Sequence, residues 1–272
     1  MFDVLVCGSL HLDTVVRGRL PAPDETVMGE GVAYACGGKG GNQAVAAARA
    51  GARTAMIGRV GDDDAGRTLT ANLEQHGVDV SGVAVGAEPS GMSVAIVDEA
   101  GDYGAVVVSG ANRAIVIGAV PEANVLVLQN EVPQAVNEAV IAHSDAFTIW
   151  NAAPTRDGAL VADLLVVNRV EASTMLGAPI ETAHGAVAAL EAGRSPAPLT
   201  CITLGAGGAV IGGGARTLHV PAPKVDVVSS HGAGDCFVGA LAAAIARGTA
   251  PFDAVVPAVE AAARFVAAAR AT

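Results

Sequence analysis

Aromatic side chains make up only 3% of the 272 residues, with one Trp, two Tyr and five Phe. That leaves little ring surface on which a nucleobase acceptor would stack. Positive charge is also sparse, at 16 Lys and Arg against 27 Asp and Glu, for a net charge of −11. A nucleic-acid partner needs clustered Lys and Arg, so none is expected. The four cysteines, Cys7, Cys36, Cys201 and Cys236, form no C-x-x-C pair and no zinc spacing. Scattered small thiols of this kind are expected to be packing residues. No uncharged apolar run reaches roughly 18 residues, so no spanning helix and no membrane partner are expected. The opening MFDVLVCGS lacks a basic n-region and runs directly into a strand-like segment, so no signal peptide is expected and the location is a reducing cytoplasm. Two nucleotide fingerprints are missing as well. Gly8 has no G-x-G-x-x-G around it, and no Gly-Lys-Ser/Thr closes a Walker A loop. A dinucleotide-dependent dehydrogenase is disfavoured on that ground.

What remains is half apolar and only 16% charged, with much of the apolar share in Ala beside 34 Gly. A chain of this length buries a large core as one domain, residues 1–272. Short runs rich in Val, Ile and Leu predict strands over Val4–Cys7, Thr54–Ile57, Val125–Gln129, Ala146–Trp150, Leu164–Asn168, Thr200–Leu204 and Ala209–Gly212. Near-continuous apolar strands imply burial on both faces, the habit of a parallel sheet. Helical stretches alternate with them over Gly41–Ala50, Ala65–His76, Val132–His143 and Ala183–Ala192. The fold class is therefore α/β with a mainly parallel central sheet. Thr14–Cys36 and Ser90–Ala111 break the pattern. Both alternate like antiparallel strands without room for a crossover helix, and predict a small projecting sheet, approximately 14–36 and 90–111, as a lid.

Four segments carry chemistry. In SSHGAGDCFVGALAAAIA, Ser229–Ala246, a glycine turn leads directly into an Ala-rich helix. Free N–H groups at such a start make an anion site that small residues leave open. Asp235 lies at the same start. It either caps the helix or, beside an anion hole, deprotonates a hydroxyl while phosphoryl charge is stabilised. In CGGKGGNQAVAAARAG, Cys36–Gly51, Lys39 and Asn42 offer donors to the hydroxyls of a polar ligand, unless the glycines only make a tight strand-to-helix turn. In VVNRVEAS, Asn168 ends a strand and Glu171 follows three residues later. The pair faces the carboxyl edge of the sheet, where Glu171 would organise a hydrated Mg²⁺, or it forms a cap and capping box. TLGAGG, Thr203–Gly208, cradles a nucleotide phosphate or turns a hairpin.

Together these segments resemble the ribokinase-like (PfkB) carbohydrate kinases, in order along almost the whole chain. GGKGGNQAVAAARAG is similar to the family's first signature and GAGDCFVGAL to its second. IGRVGDDDAG, GVDVSGV, LQNEVP, NAAP, N-x-x-E and TLGAGG fall between them in the family's order. The resemblance implies a three-layer sandwich with a small β-sheet lid that also forms a homodimer contact. It implies ATP as phosphoryl donor, Mg²⁺, and a small sugar acceptor phosphorylated at a primary hydroxyl, ribose first. Asp235 would be the catalytic base, with the N–H groups of Gly232, Ala233 and Gly234 as the anion hole. Asp13, Gly38, Lys39, Asn42 and Glu131 would contact the sugar. Asn168 and Glu171 would serve the phosphate and Mg²⁺, with Thr203, Gly205 and Gly207 near the nucleotide.

Three departures accompany the resemblance. His11 stands where ribokinases have Asn, and a bulkier, titratable ring there is expected to change which sugar fits. Ser229-Ser230 stand where the second signature commonly begins Asp-Thr, an Asp that in ribokinases helps hold a monovalent cation, so the resemblance leaves potassium activation open. The sequence stops at Thr272, so the family's C-terminal segment beside the adenine is expected to be short or absent. A nucleoside kinase of the same superfamily is the neighbouring alternative. A sugar-binding regulatory protein without catalysis is the alternative from another class.

Overall fold

The computed structural model describes residues 1–98 and 103–268. Residues 99–102, inside the second expected lid segment, and the last four residues lie outside that description. Nine strands form the main sheet. In chain order they are β1 (Phe2–Cys7), β4 (Thr54–Gly61), β5 (Asp79–Gly86), β8 (Ala123–Gln129), β9 (Phe147–Asn151), β10 (Leu164–Asn168), β11 (Leu199–Thr203), β12 (Ala209–Gly213) and β13 (Arg216–Val220). The missing numbers, β2 (His11–Arg17), β3 (Gly31–Gly37), β6 (Gly91–Val97) and β7 (Tyr103–Val108), make a second sheet in the order β3-β2-β6-β7. The helices are α1 (Lys39–Arg49), α2 (Asp64–Gln75), α3 (Gln134–Ile141), α4 (Arg169–Leu176), α5 (Ala183–Glu191), α6 (Ala233–Ala246) and α7 (Pro251–Ala267).

The main sheet runs β13-β12-β11-β10-β9-β8-β1-β4-β5. Every pairing from β5 to β11 is parallel, and β12 and β13 close one edge antiparallel. Side chains alternate across each central strand. Val4 and Val6 of β1 join one core with α1, α2, α6 and α7, while Leu5 and Cys7 join another with α3, α4 and α5. Helices on both faces make three layers, which is why these strands read as unbroken apolar runs. Cys7 and Cys201 are buried packing residues as expected; Cys36 and Cys236 are partly exposed. No helix among the described residues is long and apolar enough to cross a membrane.

The strands at the two edges, β5 and β13, escape a reading based on apolar runs because nearly all of their residues are exposed or only partly buried. The small sheet differs from expectation in two ways. Its middle pairing, β2 with β6, is parallel, because its two hairpins come from separate excursions of the chain. It also begins at His11, three residues early, so His11 and Asp13 both sit on it. Register sorts its faces. Asp13 pairs with Ser93 on one side, and the row Tyr34, Thr14, Val94, Val106 lies on the other.

α1 and α6 pack along their lengths at a glycine. A Cβ at Gly239 would lie 2.5 Å from that of Ala46 and 2.6 Å from the Gln43 carbonyl oxygen. Only a residue without a side chain lets the two helices approach this closely.

Candidate active site

Two helix starts meet at the carboxyl edge of the main sheet. α1 begins after Gly38, at φ 86°, and α6 after Gly232, at φ 83°, both in the left-handed region that favours glycine. The first-turn donors of α1 are already taken. Lys39 N–H donates to Glu131 Oε2 at 2.8 Å, Gly40 N–H to Ser9 Oγ at 3.4 Å and Gly41 N–H to the Ser9 carbonyl at 3.0 Å. At α6 the Ala233 N–H turns back to the Ser230 carbonyl at 3.2 Å. Gly234 and Asp235 follow in a first turn that has no acceptors of its own. A side chain at Gly234 would meet nothing within 4 Å. The open anion site is therefore at α6, with Gly234 facing free space.

Asp235 does not cap its own helix. It is 7% exposed, and its carboxylate reaches across to α1. Oδ1 accepts from Gln43 Nε2 at 2.9 Å, and Oδ2 from Asn42 Nδ2 at 3.2 Å. Lys39 Nζ lies 4.0 Å from Oδ1. Burial pushes the Asp235 carboxyl above the usual carboxylate range. Lys39, Gln43 and Asn42 pull against it, and Glu131 pushes it further up. An acid held up by desolvation beside an open anion site is suited to take a proton from an alcohol.

The remaining expected residues form two groups. In the first, Glu131 Oε2 accepts from both Ser9 Oγ and the Lys39 N–H, which ties the α1 start to the end of β8. Asp13 Oδ1 accepts from Ser93 Oγ at 2.5 Å. A Cβ at Gly37 would collide with Asp13 Oδ2, so a side chain there would displace the Asp13 carboxylate. His11 is buried and its Nε2 has no partner among the described residues. In the second group, Asn168 and Thr203 are register partners at the ends of β10 and β11. The capping box exists: Asn168 Oδ1 accepts from the N–H groups of Val170 and Glu171, and Glu171 Oε2 accepts from the Asn168 N–H. Glu171 still feels Lys39 and Asp235, so it stands between the two groups. Burial pushes its carboxyl up, the Asn168 N–H and Lys39 pull it down, and Asp235 pushes it up again. Gly205–Gly207 is a single 3₁₀ turn joining the antiparallel strands β11 and β12, and His219 Nε2 approaches the Gly207 carbonyl at 2.8 Å.

Several site residues carried no role in the sequence. Ser9, Ser93, Gln43, Gln129 and Asn151 make contacts across long sequence separations that no local pattern reveals. A signal existed for three of them, since Gln43 lies in GGKGGNQAVAAARAG, Gln129 in LQNEVP, and Asn151 opens NAAP.

Comparison with known proteins agrees with this fold. The model of the pfkB family carbohydrate kinases matches residues 1–272. The chain is 35% identical over 263 residues to a ribokinase of Bacillus subtilis, covering 91% of this chain and 87% of the relative. Among solved structures it is similar to Arabidopsis thaliana ribokinase complexed with ribose and ATP, with a TM-score of 0.86, 27% identity, and 97% and 92% of the two chains covered. It is also similar to the ribokinase of Thermotoga maritima, with a TM-score of 0.87, 27% identity, and 100% and 95% coverage.

Proposed function

The chain belongs to the pfkB family of carbohydrate kinases, and from that premise we propose that it phosphorylates a primary hydroxyl of ribose, with Asp235 as the base. It is an ATP-dependent sugar kinase. One observation carries the residue assignment: a buried carboxylate at an open helix start, held by Lys39, Asn42 and Gln43 of the neighbouring helix.

In this reading Asp235 takes the acceptor hydroxyl proton as that oxygen attacks the γ-phosphorus in line. The new O–P bond forms as the bond to the β,γ-bridging oxygen breaks and ADP departs. The N–H groups of Gly232 and Gly234 and the α6 dipole would face the transferred group, whereas the Ala233 N–H of the expected anion hole turns to the Ser230 carbonyl instead. Asp13, Gly38, Lys39, Asn42, Glu131 and His11 line the sugar side, and Asn168, Thr203, Gly205 and Gly207 the nucleotide side. Mg²⁺ keeps several waters and binds through phosphates and one or two carboxylates, which the single half-buried Glu171 fits. When bound, it would neutralise phosphate charge.

We assign the small sheet the role of a lid, spanning approximately 14–36 and 90–111. Its Asp13 face would cover the sugar, and its opposite face would meet a second copy. Val32, Tyr34, Val94, Val106 and Val108 share that outer face by register and are exposed, an apolar area suited to an isologous contact. Val106→Glu should convert a dimer to a monomer in analytical ultracentrifugation. A wild-type monomer would remove the dimer reading. Four free thiols suit a reducing cytoplasm, the location proposed.

The deciding assay is ADP release from Mg-ATP with pentoses, hexoses and nucleosides, with and without potassium. Ribose-dependent release supports the reading, and nucleoside-dependent release replaces the acceptor. Sugar binding without turnover in a folded protein would make the chain a regulatory relative.

A further inference from the structure

Gln43 is fully buried on α1, and both polar atoms of its side chain are hydrogen-bonded. Its two amide hydrogens go to Asn151 Oδ1 and Asp235 Oδ1, both at 2.9 Å, and its Oε1 accepts from Gln129 Nε2 at 2.8 Å. Gln129 and Asn151 are register partners at the ends of β8 and β9. Each is anchored in turn. Asn151 Nδ2 donates to the Val166 carbonyl at 3.1 Å, and the Gln129 carbonyl accepts from Asn137 Nδ2 at 2.7 Å.

Chemistry fixes the sense of this chain of amides. A carboxylate only accepts, so the Gln43 NH₂ must face Asp235 and its oxygen must face Gln129. Gln129 must then present its own NH₂, which leaves its Oε1 buried without a partner among the described residues. An orphaned buried acceptor is destabilising. It persists here because reversing the chain would set the Gln43 oxygen against the Asp235 carboxylate.

The two oxygens of Asp235 are consequently unequal. Oδ1 holds the shorter bond, to Gln43, and faces Lys39, whereas Oδ2 holds the longer bond, to Asn42. We propose that Gln43 is the positioning residue of the base: keyed by Gln129 and Asn151, it pins Asp235 Oδ1 and leaves Oδ2 to receive the acceptor proton. The proposal rests on the reading of Asp235 as base. Gln43 also favours the ionised carboxylate. The other charged or titratable groups around Asp235 are Lys39 on α1, Glu131 after β8, Glu171 on α4 and the Cys236 thiol on α6. None of them changes when Gln43 is replaced.

The test is the steady-state pH–rate profile of the full-length Gln43→Met variant with Mg-ATP and the best sugar acceptor. The expected result is a loss of roughly tenfold or more in kcat, with both KM values within about threefold of wild type. The acid limb should move to higher pH, because a donor to the carboxylate is gone. Gln129→Met touches Asp235 only through Gln43 and should move the limb the same way by less. An unmoved acid limb in Gln43→Met overturns the proposal, whether or not the melting temperature falls. Should that variant fail to fold, an unmoved limb in Gln129→Met does the same. Wild-type turnover in Asp235→Asn would instead overturn the reading of the base itself, which separates the two failures.

Discussion

Asp235→Asn should lose roughly 10²-fold or more in kcat, the usual scale of a lost general base, while keeping its fold and its affinity for the sugar. The replacement retains an acceptor for Gln43. Asn42, which is partly exposed, can turn its own amide to meet the new NH₂. Stability should move the opposite way from activity. Because burial holds the Asp235 carboxyl above its unfolded value, the folded chain binds that proton more tightly than the unfolded one. The contribution of Asp235 to stability is therefore fully present below the unfolded pKa, about 3.9, and is lost as pH rises through the folded value. At neutral pH the ionised form is a standing burden on the fold that Asn removes. Kinetics at pH 7 combined with calorimetric melts at pH 7 and about pH 4 check both halves. The variant should melt no lower than wild type at pH 7, and any advantage should shrink in acid. Near-wild-type turnover would take Asp235 out of the mechanism.

Lys39→Met is expected to have the next largest effect. Met keeps much of the apolar stem and discards the charge. The backbone N–H at position 39 still donates to Glu131, so the start of α1 should hold. What disappears is the cation 4.0 Å from Asp235, which also acts on Glu171. Asp235, Glu131 and Glu171 are then left to repel one another. Asp235 is pushed further up and is less often ionised at pH 7. The acid limb of the rate profile should rise, with kcat/KM at pH 7 lower by roughly 10- to 100-fold. Part of that loss should be recovered at alkaline pH. The sugar KM should rise too, since Lys39 is assigned to the sugar. An unshifted limb with an unchanged KM would mean that Lys39 acts neither on the base nor on the acceptor.

The two glycine-led helices and Asp235 were legible in the sequence because glycine before an Ala-rich run is a local backbone signature. The central parallel strands were legible because two-sided burial leaves unbroken apolar runs; Leu164–Asn168 matches residue for residue. Edge strands such as Asp79–Gly86 lack that signature. The N-x-x-E spacing announced the capping box at Asn168 and Glu171, and the structure contains it. The partners of Asp235 were not legible. Gln43 and Asp235 are 192 positions apart, and an amide on a helix face looks like any other polar residue until folding brings a carboxylate to it. The early start of β2 was hidden because the alternation Leu10-His11-Leu12-Asp13 is only two repeats long, too short by itself to mark a strand.

The glycine contact that seats α6 on α1 has an evolutionary consequence. The base, its amide keeper and its counter-cation travel as one heritable block, because a side chain at Gly239 would pry them apart together. His11 and Asp13, proposed for the sugar side, stand on a different sheet, and Ser93, which donates to Asp13, arrives on another strand of that sheet. A lineage is therefore free to revise its acceptor by rewriting those strands while the transfer block passes down unaltered.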